Sequence, residues 1–168
     1  MKKKLGLFLI ILLACTSCRN DVFTKNMPED FSFSIKWNVF GISSYDSSTG
    51  KLVKTTDATN PEDYITTYTM AEEELEHIYK LIYNLKIDKY DNVFNPDPFK
   101  MSTPYESFSI SVQIGDYSKT VSAPQVCIDS KGGTIKGIKY LNVVNEISKM
   151  LIDTEEWKSL PPYEFAYM

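Results

Sequence analysis

The chain contains one histidine, His77, four residues after Glu73 in a segment of helical periodicity, so the two side chains share a helix face one turn apart. A zinc centre asks for three or four ligands, and a metalloprotease helix places two histidines around a glutamate. His77 has no such company and reads as a structural residue. Ser48 and Lys51 reproduce a Ser-x-x-Lys spacing, but across a hairpin turn rather than at a helix start, and no Gly-x-Ser-x-Gly elbow occurs. Gly132-Gly133-Thr134 precedes a helical segment, where free amides can hold a phosphate, yet the other glycines of a nucleotide fingerprint are missing. Asp91, Asn95 and Asp97 offer oxygen ligands at spacings of four and two, without the central glycine and closing glutamate of an EF-hand loop. These groups read as turn and loop polar residues. No catalytic residue, metal or cofactor is expected, and the chain reads as non-enzymatic.

The remaining chemistry lies in three cysteines. Met1-Lys2-Lys3-Lys4 is followed by an apolar run from Leu5 to Ala14 and then by Cys15-Thr16-Ser17-Cys18. A basic start and an apolar run shorter than the ~20 residues of a spanning helix fit an export signal. Leu12-Leu13-Ala14-Cys15 resembles the lipobox of bacterial lipoproteins, a resemblance confined to the first 15 to 18 residues. It implies a signal peptide over 1–14 and a diacylglycerol-modified Cys15 as first residue of the mature chain. Cys18, preceded by Ser17, is the alternative, with the signal then ending at 17. Two or more acyl chains suffice for stable anchoring, so the resemblance implies a protein held on the exported side of a membrane, in the cell envelope. Cys127 lies in an apolar stretch far along the chain and is expected to be a buried thiol without a disulfide partner.

A formal net charge of -4 argues against a nucleic-acid footprint, and export removes that partner as well. Residues 19–30 are mostly polar and aperiodic, so 15–30 is read as a lipid-anchored tether and 31–168 as one globular domain.

The elements that would position any site follow from periodicity. Phe31, Phe33, Ile35, Trp37 and Val39 alternate with polar residues, predicting a strand that runs on towards Asp46. The cluster 46–50 has hairpin composition, and residues 51–56 return as a strand. Residues 64–68 form a third short candidate. Thr69 and Glu72 match a capping box for a helix over 70–86, with Ala71, Leu75, Ile78, Ile82 and Leu85 as its core stripe. Phe108 to Ile114 and Tyr117 to Ser122 flank a Gly115-Asp116 turn; Pro124 then separates a short candidate at 126–128. A second helix is predicted over about 135–152, a capped turn at Thr154, and a closing strand or tail at 163–167. Hairpins followed by helices predict an α+β domain in which a mostly antiparallel sheet of five or six strands carries two main helices on one face.

Residues 88–104 contain three prolines, no period and several acidic or amide side chains, and a loop this long in a compact domain is often functional. Several tyrosines fall outside the predicted core stripes, among them Tyr45, Tyr79, Tyr83, Tyr90 and Tyr105, and tyrosine suits interfaces. The candidate binding surface is therefore Tyr90, Asp91, Asn95, Asp97, Phe99 and Tyr105, or an aromatic-bearing sheet face. The function expected is that of a membrane-anchored binding domain whose partner is an envelope protein or polymer. An inhibitor or immunity-type protein that neutralises a secreted enzyme or toxin is the alternative. An envelope enzyme built on carboxylates ranks below both.

Overall fold

The computed structural model describes residues 22–39, 42–55, 63–101 and 103–162. Cys15, Cys18 and the expected closing strand at 163–167 lie outside these residues. Six strands form one antiparallel sheet: β1 (Phe31–Trp37), β2 (Ser43–Asp46), β3 (Lys51–Thr55), β4 (Asp63–Thr67), β5 (Tyr105–Ile114) and β6 (Tyr117–Cys127), in the spatial order β4-β3-β2-β1-β5-β6. Helices α1 (Glu72–Leu85) and α2 (Ile135–Ile152) pack on each other, α2 also covers β1 and β5, and the short helix α3 (Glu155–Lys158) follows. This is the expected two-layer α+β domain.

The alternation of β1 sends Phe31, Phe33, Ile35 and Trp37 to the helix side, and the β1–β5 register from Phe31↔Ile114 to Lys36↔Ser109 aligns this row with Phe108, Ile110, Val112 and Ile114. Alternate residues of a strand point to opposite faces, so the serines of both strands share the open face. There Ser109 Oγ meets Ser122 Oγ at 3.1 Å and Ser111 Oγ meets Thr120 Oγ1 at 2.8 Å. Phe31, Phe33, Trp37, Tyr45 and Phe108 are on the covered side, while Tyr64 of β4, Tyr105 of β5 and Tyr117 of β6 are half-buried. Tyr45, Tyr79 and Tyr90 are core residues whose hydroxyls donate to the carbonyls of Tyr68, Thr24 and Lys136. A buried ring with a backbone acceptor at its tip satisfies both ends of the side chain, which no helical or strand stripe announces.

Four local details depart from the sequence reading. The run from 31 to 46 is two antiparallel strands, because Asn38 takes a left-handed φ of 82° and turns the chain. β6 continues through Pro124 to Cys127 as one strand; residues 124 and 125 together oppose Ser107, and a bulge tolerates a residue with no N–H to donate. The first helix starts at Glu72 rather than 70, with Ala71 as its N-cap. Thr69 takes no part in that cap. Alanine has no side-chain acceptor, and the end is closed from the other side by Glu74, whose Oε2 accepts from Ala71 N–H at 2.9 Å and from Tyr68 Oη at 2.6 Å. Finally, the packed body extends beyond the segment 31–168. Phe23 and Met27 lie against the core, Phe23 edge-on to Tyr117 at 5.6 Å, so residues read as tether are docked from Phe23 onward.

Candidate functional site

After α1, a single 3-10 turn (Ile87–Lys89) leads the chain up the outer edge of β6. Ser122 N–H donates to Asn92 O at 2.8 Å, Phe94 N–H donates to Ser122 O at 3.0 Å, and Val93 bridges Ser122 in parallel. Lys119 Nζ clamps the same stretch through Tyr90 O and Asn92 Oδ1, both at 2.7 Å. The first half of the long loop is thus an edge addition to the sheet. Its hydrogen bonds run to a neighbouring strand, which an aperiodic sequence does not advertise.

The next three residues form a fixed base. Asn95 Oδ1 accepts from Asp97 N–H at 2.9 Å, and Asp97, only 4% exposed, accepts from Ser130 Oγ at 2.6 Å. Ser130 Oγ in turn accepts from Gly132 N–H, and Gly133 N–H donates to Pro96 O at 2.9 Å. Pro96 lies directly on α2: a Cβ at Gly137 would stand 1.9 Å from Pro96 O. A Cβ at Gly133 would meet Asp97 Oδ1 at 2.5 Å and the Phe99 ring at 2.8 Å. Only residues lacking a side chain permit this approach. The Gly132 and Gly133 amides considered for phosphate are therefore engaged, and Thr134 Oγ1 caps α2 by accepting from Gly137 N–H at 2.9 Å.

Beyond the base the chain projects. Phe99 is 80% exposed and Met101 92% exposed, with exposed Lys100 between them. Beside this tip runs a groove of about 390 Å³ lined by residues that include Pro98, Met101, Tyr105, Val126 and Cys127. The backbone beneath these side chains is held by the base, and fully burying one large apolar side chain contributes roughly 1.5–3 kcal/mol against about 0.5–1.5 kcal/mol of rotamer freedom lost. The arrangement suits recognition.

The candidate surface is thereby divided. Phe99 is at the tip, Tyr105 and Asn95 line the groove, and Asp91 is exposed lower on the β6 edge. Tyr90, 6% exposed and edge-on to Phe94 at 5.2 Å, and Asp97 are interior supports rather than contact residues, a correction whose cause is the docking of the loop on α2. Cys127 is a half-buried free thiol in the groove wall, not a core residue. Sequence reasoning passed over Lys100, Met101 and Val126. The available signal was large apolar side chains in a proline-flanked segment with no period to bury them.

The other residues considered for chemistry are placed apart. His77 Nε2 contacts Glu146 Oε1 of α2 at 2.8 Å, a half-exposed tie between the helices. Ser48 Oγ donates to Asp46 Oδ1 at 2.6 Å within the hairpin turn. A second cavity of about 250 Å³ is lined by residues that include Trp37, Glu106, Phe108, Asn145 and Trp157. Burial, and then the nearby Asp129 charge, raises the Glu106 carboxyl above its ordinary range. Of these two carboxylates Glu106 alone lines the cavity, so a facing pair suited to hydrolysis is not assembled there. Trp37 Nε1 is the one buried side-chain polar atom among the described residues without a hydrogen-bond partner.

No protein-family model matches this chain, and no curated protein matches it significantly in sequence.

Proposed function

We propose that this protein is a lipid-anchored, non-enzymatic binding protein of the cell envelope that engages its partner through the Pro98–Met101 tip and the adjoining groove. The observation that carries the reading is the contrast within one loop: Asp97 is sealed against Ser130, while Phe99 and Met101 stand almost wholly in solvent. Contiguous exposed apolar surface marks interaction sites, and here Phe99 and Met101 stand two positions apart on one projecting segment. The anchor rests on the charged start, the apolar run and Ala14-Cys15, with Cys18 as the alternative attachment residue.

The inhibitor or immunity-type reading shares the anchor and uses the same loop. That reading would be marked by a protruding rigid loop or an acidic edge shaped to fill a basic active site; the projecting 98–101 tip fits the first, while exposed Lys100 and the lack of a carboxylate between Pro98 and Met101 do not fit the second.

Membrane fractionation and intact mass of the native protein against Cys15→Ser and Cys18→Ser test the anchor; one substitution should release the protein and remove the acyl mass. Blue-native electrophoresis of detergent-solubilised envelopes tests the tip. The wild type should migrate above its monomer mass, and Phe99→Ser with Met101→Ser should return it to monomer. A complex unaffected by the double substitution would sink the tip as recognition element.

A further inference from the structure

We infer that the Phe99-Lys100-Met101 tip docks into an apolar, acid-rimmed cleft of a protein standing on the side away from the anchoring membrane, and not into that membrane's own lipid. The inference rests on the lipid-anchor and tip readings above and adds to them a direction and a partner chemistry.

The direction comes from the two ends of the sheet. The N-terminal segment docks at the β5–β6 turn: Phe23 packs on Tyr117, a Cβ at Gly115 would lie 3.2 Å from Asp30 Oδ2, and Phe31 pairs with Ile114. The tip enters the opposite end, four residues before Tyr105 at the start of β5, which pairs with Cys127 at the end of β6. β5 has ten residues, a length of roughly 34 Å at ~3.4 Å per residue. Phe23 lies five positions after Cys18 and eight after Cys15, so the linking chain reaches at most about 18 or 28 Å at ~3.5 Å per residue. The anchor therefore keeps the β5–β6 turn within about 18 or 28 Å of the membrane, and with the domain upright on its tether the tip stands a sheet length beyond that turn. Bringing the tip to the same bilayer would lay the domain on its β6 edge, where Asp91 is exposed.

The chemistry comes from the tip and its groove. Between residues 95 and 105 the only ionisable side chains besides Tyr105 are Asp97 and Lys100, and Asp97 is turned inward onto Ser130. The projecting surface is thus apolar and cationic on a chain of net charge -4. Its complement is an apolar cleft rimmed by carboxylates. A bilayer could take up Phe99 and Met101 but has no side chain to fill the groove of about 390 Å³ beside them, whereas a protein partner can both receive the tip and insert into the groove.

The test uses the lipidated full chain carrying Phe99→Trp, reconstituted in phosphatidylcholine–phosphatidylglycerol vesicles that contain brominated lipid. Trp37 and Trp157 are buried and give a constant background. Protein that sediments with the vesicles but shows no bromolipid quenching and no blue shift at position 99 supports the inference. Quenching with a blue shift overturns it and assigns the tip to the membrane. Failure to sediment, with the Cys15→Ser and Cys18→Ser variants behaving identically to wild type, overturns the anchor reading and the direction with it. In cells, benzoylphenylalanine in place of Phe99 should give a discrete protein adduct that Lys100→Glu reduces at least fivefold at unchanged thermal stability. An adduct insensitive to that charge reversal overturns the acid-rimmed partner.

Discussion

Individual side chains of this domain report their surroundings through hydrogen bonding and titration. Burial and the Glu74 and Asp46 charges push the Tyr45 hydroxyl up to about 12, while its hydroxyl ties β2 to Tyr68 O. Lys54, on the covered face of β3, lies 5.0 Å from the Trp157 ring centroid and donates to Leu160 O, and burial lowers its pKa. The titration of Glu106 is coupled to stability. Its folded carboxyl is raised, so the folded state holds a proton over a range where the unfolded chain has released it. The stability involved is fully present below the ordinary carboxyl value near 4.5 and is lost as pH rises through the higher folded value. Glu106→Gln should therefore raise the melting temperature at pH 7, and the gain should shrink towards zero at pH 4; a gain constant across that range would show that charge burial is not its cause.

At the scale of elements, the contact between the loop base and α2 decides where the tip stands. Helix propensity alone favours Ala over Gly by about 1 kcal/mol at an interior position. At Gly137 packing opposes that gain, because the new methyl would meet Pro96 O, and forcing extra volume into such a contact costs roughly 1–3 kcal/mol. Gly137→Ala should accordingly show a net loss of up to about 2 kcal/mol in urea unfolding, with faster proteolysis between residues 98 and 101. An unchanged cleavage rate would argue against Pro96 as the fixing point. α2 itself was legible because its apolar stripe repeats at helical spacing, and the structure places it over Ile135–Ile152 as expected, with Thr134 as the cap that the stripe did not reveal. The capped turn at Thr154 is likewise present, with Thr154 Oγ1 accepting from Trp157 N–H. The start of α1 was misread because a threonine three residues before a glutamate matches a capping box by type alone, while the working cap depends on Glu74 reaching back to Ala71.

For the whole molecule, the boundary of the folded body matters to any truncation. Phe23 and Met27 are partly buried against the core and Thr24 O accepts from Tyr79 Oη at 2.7 Å. A chain beginning at residue 31 should lose roughly 2–4 kcal/mol of stability, given ~1.5–3 kcal/mol for each fully buried large side chain, whereas one beginning at residue 22 should match the full mature chain in chemical denaturation. Equal midpoints for the two would mean that the N-terminal segment is only laid on the surface. The fold class, the helix-bearing face of the sheet, the two main helices and the hairpin turns were all written in the sequence, because each depends on a period of two or 3.6 and on turn residues a few positions apart. The projecting Phe99 was legible in part, as an apolar residue with no period to bury it. Strand order, the edge addition at 92–94, the burial of Tyr90 and Asp97 and the opposition of tip and N-terminal segment came only from the tertiary structure. Those features rest on contacts between residues tens of positions apart, such as Asp97 with Ser130 and Phe23 with Tyr117, and local periodicity carries no information about which distant surfaces meet.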